Sequence, residues 1–112
     1  MKPGRGEVWL ADLDPTRGRE QAGRRPCLVV SADPLNRGPA QLVVVLPITS
    51  RDKGIPFHVG LEPPEGGVTV RSFIKCEDVR SISTQRLTEK WGAVRNETLL
   101  AVEDRLRILL SL

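Results

Sequence analysis

The sequence predicts a mainly β, α+β fold: a small antiparallel barrel or curled sheet with one C-terminal α-helix. Three observations carry this reading. Short runs rich in Val, Ile and Leu recur between clusters of Gly, Pro, Asn and Asp, the pattern of strands joined by turns. Several of these runs alternate with period two, and the last stretch of the chain changes to helical spacing. With 112 residues, the chain reads as one domain, residues 1–112, with area for one core and little for a second.

Taken in order, residues 7–13 place Val8 and Leu10 on one strand face and Trp9, Ala11 and Leu13 on the other. A strand apolar on both faces is covered on both sides and belongs in the middle of a sheet. Asp14-Pro15 ends it. Residues 27–32 form a second apolar strand, closed by Asp33-Pro34 and a turn containing Asn36, Gly38 and Pro39. Residues 41–48 are β-branched and too short a run for a helix, and Pro47, which cannot donate to a ladder, limits their far end. Residues 57–61 alternate, with His58 and Gly60 between Phe57, Val59 and Leu61, up to the turn at 63–67. Residues 68–79 read as one long or bent strand, with Arg71, Phe73 and Lys75 on one side, and 81–87 as a polar connection. Residues 91–94 admit a turn of helix or a short strand, and strand is the reading preferred here. Asn96 is placed to cap a helix, along which Leu99, Val102, Leu106, Leu109 and Leu110 recur at helical spacing.

Composition narrows the function classes. Net charge is +3, a mild excess that suits nucleic acid. The last 17 residues hold only two of the 17 basic side chains and three of the 14 acidic ones, so the terminal helix is a packing element and not the nucleic-acid face. Aromatics are 4% of the chain, only Trp9, Phe57, Phe73 and Trp91, so base stacking is not expected as the main grip. Cys27 and Cys76 lie in apolar runs without metal-ligand spacing and read as small core residues. Asp12 and Asp14 lack partners for a metal site, and no metal or other cofactor is expected. No leader pattern and no apolar run near the ~20 residues needed to span a bilayer is present, which places the protein in the cytoplasm and off the membrane.

The polar stretch 14–31, DPTRGREQAGRRPCLVVS, is where chemistry is expected. Arg17, Arg19, Arg24 and Arg25 stand beside one acid, Glu20, and suit a phosphate-bearing partner. Pro26 restricts the residue before it to an extended backbone, so Arg25 sits at a rigid strand mouth. With adjacent arginines pointing to opposite sides of an extended chain, only one of Arg24 and Arg25 enters a common site. A single histidine, His58, rules out a paired-histidine ribonuclease and reads as a surface strand residue. Cleavage of RNA needs activation of the 2′-hydroxyl, stabilisation of charge on the phosphorane and protonation of the leaving oxygen. Arginine supplies the second, and its high pKa makes it a poor base. Gln21, Ser50 and Gln85 are candidates to read base edges, and Arg17, Arg19, Arg24, Arg51, Arg71 and Arg86 to grip phosphates.

The run EVWLADLDPTRGREQAGRRPCLVVS resembles the N-terminal signature of the MazF/PemK (Kid) toxins, endoribonucleases of bacterial toxin–antitoxin modules. LPITSRDKGIPFHV and VRSISTQRL resemble the family's second and third motifs, in order, so the likeness covers nearly the whole chain. The resemblance implies an SH3-like barrel and a sequence-specific, metal-independent mRNA interferase that leaves 2′,3′-cyclic phosphate and 5′-hydroxyl ends on single-stranded RNA. It implies a homodimer and a MazE-like antitoxin partner. It maps the family's catalytic pair onto Arg25 and Thr49, with Glu20 as a third candidate, and matches Gln85 to a glutamine of the family's third motif. Two other readings are a gyrase-binding toxin of the related barrel fold and a non-catalytic RNA-binding module; neither needs the Arg25–Thr49 pair.

Overall fold

The computed structural model describes residues 2–14, 18 and 23–112. Among the described residues seven antiparallel strands and a long C-terminal helix make up the architecture; the mainly β fold with a terminal helix is as the sequence predicts, while one strand, β6, lies where a polar connection was expected. Strands β1 (Glu7–Asp12), β2 (Arg24–Val29) and β3 (Leu42–Thr49) are followed by β4 (His58–Leu61), β5 (Ser72–Lys75), β6 (Arg80–Ser83) and β7 (Leu87–Ala93). A four-residue helix α1 (Asp33–Asn36) separates β2 from β3, and α2 (Asn96–Leu110) ends the chain. The ladder runs β4-β5-β3-β2-β1-β7, with β6 also on β3. β1 is internal, as its two-sided apolar pattern requires.

Period-two alternation sends side chains to two clusters, where one core was expected. Val8, Leu28 and Leu46 are opposite one another across β1, β2 and β3 and join Ile48, Val59, Leu61, Ile74 and Val102 of α2 on one face. Trp9, Ala11, Cys27, Val29, Val43, Val45, Ile82 and Leu87 fill the other. The curl of the sheet lets 112 residues enclose both. No strand pairing among the described residues closes β4 onto β7, so the sheet is curled and not a fully laddered barrel. A 3-10 turn, Glu65–Gly67, fills the gap by lying on β7. A Cβ at Gly67, whose φ is +81°, would stand 2.4 Å from the carbonyl oxygen of Trp91, so only glycine permits this approach.

Several local expectations are corrected. β2 begins at Arg24 and not at Cys27, because Asp12 and Ala11 of β1 pair with Arg24 and Arg25. β3 continues through Pro47 to Thr49. Val44 bonds on the β2 side, so by alternation position 47 turns its nitrogen to the opposite side, between the end of β6 pairing at Val45 and the start of β5 pairing at Ile48. No hydrogen bond is lost by a proline there. The expected strand 68–79 is reduced to β5 followed by a 3-10 turn, Cys76–Asp78, and the expected polar connection 81–87 contains most of β6 and a third 3-10 turn, Thr84–Arg86. The strand expected at 91–94 is present but longer, as β7.

Asn96 does not cap α2. The N-cap position is Arg95, whose side chain makes no cap bond. Glu65 serves from a distance: its Oε2 accepts from the Arg95 backbone N–H at 2.9 Å and from the Thr98 hydroxyl at 2.5 Å. Burial works to raise the Glu65 pKa, but the bonds from Thr98 and Arg95 outweigh it and hold the carboxyl below its ordinary value. His58 is also not a surface residue. Its side chain is 4% exposed, with Nε2 2.9 Å from Glu77 Oε2. Both cysteines are buried and free, as expected. Among the described residues no helix is long and apolar enough to cross a membrane.

Candidate functional site around Arg25 and Thr49

β2 and β3 run with Val29 opposite Val45, Leu28 opposite Leu46 and Cys27 opposite Pro47. Continuing that register by two places sets Arg25 opposite Thr49, on the same face as Cys27. On the other side of β3, Thr49 is paired with Phe73. Two residues 24 apart in sequence thus come together at one end of the sheet, where both line the same cleft. Pro26 lies within the ladder opposite Leu10, and the next residue, Cys27, is paired with both Trp9 and Pro47, so the backbone behind Arg25 is held in the sheet.

Arg25, Thr49, Ser50, Arg51 and Lys53 line one polar cleft of about 390 Å³. Three cations and no carboxylate face it among the described residues, a setting that favours a phosphate. The Thr49 side chain accepts a hydrogen bond from the Arg51 backbone N–H at 3.2 Å. This fixes the oxygen and leaves the hydroxyl proton to donate to a ligand. Thr49 is 7% exposed while Arg25 is exposed, so the hydroxyl is a rigid floor and the guanidinium an adjustable wall. Cys27, two positions along the same face, is no nucleophile. Burial, with Asp78 adding to it against the opposing pull of Arg80, pushes its thiol up to about 12, so it remains protonated at neutral pH.

The other expected site residues are dispersed. Ser50 and Arg51 line the Arg25 cleft, and Lys53 joins them. Arg24 does not line it; adjacent to Arg25 on an extended strand, it points away. Gln85 is elsewhere, in a cleft of about 600 Å³ with Lys2, Arg37, Gln41 and Thr84. Gln41 and Thr49 bracket β3, so that cleft is roughly 26 Å away at ~3.3 Å per residue. Arg86 is engaged in the fold: its Nη1 donates to the carbonyl of Asp12 at 3.1 Å and to that of Asp14. Those carbonyls belong to the neck of the 14–23 loop, which Leu13 N–H to Gly23 O at 3.0 Å and Gly23 N–H to Asp14 Oδ1 at 2.9 Å hold together. Arg71 lies over the Phe73 ring, 5.2 Å from its centroid, and pairs with Glu62 at 2.8 Å. Arg17, Arg19, Glu20 and Gln21 lie outside the described residues. His58 lines neither cleft.

Among the described residues no group of three His, Cys, Asp or Glu side chains is placed to hold a metal ion. The sequence also gave no signal for a second, apolar cleft of about 130 Å³, on the other side of the same strand ends, which shares Arg25, Thr49 and Ser50.

Residues 4–110 match the family model described as PemK-like, MazF-like toxin of type II toxin–antitoxin system. The chain belongs to this family. A relative in Mycobacterium tuberculosis, Endoribonuclease MazF9, is 38% identical over 113 residues, covering 96% of each chain. The crystal structure of MazF from Deinococcus radiodurans superposes with a TM-score of 0.88 at 32% identity, covering 100% of this chain and 99% of that one. MazF in a MazE–MazF crystal structure from the same organism gives a TM-score of 0.77 at 32% identity, covering 100% and 99%. The family likeness read from the three motifs therefore extends to the whole fold.

Proposed function

We propose that this family member is a toxin that cleaves single-stranded RNA, mRNA in the cell, by attack of a ribose 2′-hydroxyl on the adjacent phosphate. The products are a 2′,3′-cyclic phosphate and a 5′-hydroxyl. The observation that carries the reading is that Arg25 and Thr49 line one cleft whose ionised side chains, among the described residues, are all cationic. Its relative in M. tuberculosis bears the name of an endoribonuclease, which agrees with it.

In this reading the phosphate seats between the two side chains. The Arg25 fork holds two of its oxygens and stabilises the charge that builds on the phosphorane, and the Thr49 hydroxyl donates to a third position. Arg51 and Lys53 draw in the flanking phosphates, Ser50 reads a base edge, and Glu20, Gln21 and Arg17 act from the loop. Alignment of the 2′-oxygen with the phosphorus supplies much of the rate, since positioning of this kind is worth ~7–11 kcal/mol. The reaction runs without a metal ion, in the cytoplasm, on a homodimer. An acidic antitoxin segment blocks the cleft by charge, in keeping with the family's toxin–antitoxin pairing. The test is incubation of the purified protein with a long RNA in the presence of a chelator, with sequencing of the new 5′ ends. Cuts at one short sequence bearing 5′-hydroxyls support the reading, and intact RNA refutes it.

A further inference from the structure

The two tryptophans occupy different environments. Trp9 is 7% exposed within a core cluster, its indole N–H bonded to Glu7. Trp91 is half-buried and forms a wall shared by two clefts. The smaller, about 130 Å³, opens at Arg25, Thr49 and Ser50 and is otherwise bounded by groups such as Ile48, Val70 and Ser72. The larger, about 540 Å³, continues along Trp91 over Gly66 and Gly67 towards Pro63 and Pro64. The polar cleft at Arg25 and Thr49 therefore has an apolar chamber directly behind it, with an indole in its wall.

We propose that the nucleobase beside the scissile phosphate seats in this apolar chamber and stacks against Trp91. The inference rests on the RNA-cleaving reading above and names the base subsite that goes with it. A phosphate held between Arg25 and Thr49 carries its sugar and base within reach of whatever adjoins those residues. One adjoining surface offers cations and the other an aromatic wall, and a base is the part of RNA that gains from the aromatic one. Among the described residues the smaller cleft has no carboxylate in its lining, and the carboxylates of Glu62 and Glu65 border only the larger one. Val70, 56% exposed, is an apolar side chain left in solvent by the fold. The Ser72 hydroxyl donates to the Val70 carbonyl at 2.8 Å, which leaves its oxygen free to accept from a base edge. Trp91 is thus a specificity-determining residue, and one stacking platform operates in a chain whose low aromatic content argues against stacking as the main grip.

The test uses a ten-nucleotide RNA centred on a mapped cut and carrying one 2′-deoxyribose there, so that it binds without being cleaved. A second version lacks the base on one side of the cut, and a third on the other. Binding of the complete probe quenches Trp91 emission, identified by its loss in Trp91→Phe. Removal of one flanking base abolishes the quench and weakens binding about 5- to 150-fold, the factor that corresponds to one stacked base. Trp91→Leu weakens the complete probe by the same factor and no longer distinguishes it from the abasic one, while Trp91→Phe retains most of the preference. Equal sensitivity of wild type and Trp91→Leu to the abasic change overturns the proposal. So does a change of Trp91 emission with protein concentration alone, which assigns the chamber to a second copy of the chain. A protein that neither binds nor cuts any RNA overturns the cleavage reading itself, and this inference with it.

Discussion

Glu65→Ala should be strongly destabilising, because one side chain closes the start of α2. Its Oε2 takes the Arg95 N–H and the Thr98 hydroxyl, and its Oε1 lies 3.3 Å from the Arg95 guanidinium. The Glu65 side chain is 10% exposed, so water replaces these bonds poorly. Hydrogen bonds to an ionised group contribute about 1.5–3 kcal/mol each, and two that share an acceptor overlap, which puts the loss at ~2–4 kcal/mol. With an unfolding entropy of ~2.1 cal/mol/K per residue, a chain of this length shifts ~4 °C per kcal/mol, so the melting temperature should fall by ~8–17 °C. The pH dependence has a definite sign. Glu65 titrates below its ordinary 4.5 in the folded protein, so its contribution is complete above the unfolded value and disappears as pH falls through the folded one. Calorimetry of wild type and Glu65→Gln from pH 7 to pH 3 should show their gap closing on acidification. A gap that is the same at both ends would refute the assignment of the cap to the ionised carboxyl.

Other outcomes follow from single contacts. Gly67→Ala forces a Cβ to 2.4 Å from the Trp91 carbonyl at a φ of +81° and should destabilise by more than ~2 kcal/mol, read as a lower denaturation midpoint. Native Cys27 should resist iodoacetamide at pH 8, where a thiol with a pKa of about 12 holds almost no thiolate, and react once guanidinium unfolds the chain. Arg86→Gln should lower turnover while leaving the salt dependence of RNA binding unchanged, because its guanidinium holds the carbonyls of Asp12 and Asp14. Arg51→Gln, by contrast, should lower the slope of log K against log salt by ~0.7, the value for one phosphate contact on a single strand.

The fold was readable where the burial pattern has a clean period. β1, β3 and α2 follow from alternation and helical spacing, because their side chains decide which face is buried. The errors lie where a long-range partner overrides local chemistry. Pro47 reads as a strand end, yet the ladder changes partner there and needs no N–H. Asn96 reads as a cap, yet a carboxylate 30 residues earlier in sequence bonds to Arg95. His58 reads as a surface residue, but Glu77 draws it inward. At the candidate cleft, Arg25 was singled out by Pro26 and Thr49 by motif likeness, both short local patterns, and the two line the same cleft. Lys53 and Trp91 were not, because their positions at the clefts depend on how the loop after β3 and the turn on β7 fold back. Arg86 looked like a phosphate contact because its charge is visible in the sequence and the carbonyls it bonds are not.

The most direct test of the central claim is single-turnover cleavage of a matched RNA by wild type, Arg25→Lys and Arg25→Ala, beside the same RNA with one 2′-deoxyribose at the cut. If the Arg25 fork and the internal hydroxyl perform the reaction, Arg25→Lys keeps the charge yet loses about as much rate as Arg25→Ala, on the scale of ~10²–10³ for one preorganised donor, while RNA binding survives. The deoxy-substituted bond then stays intact under every condition. Wild-type turnover by Arg25→Lys, or cleavage at the deoxy position, would contradict the account.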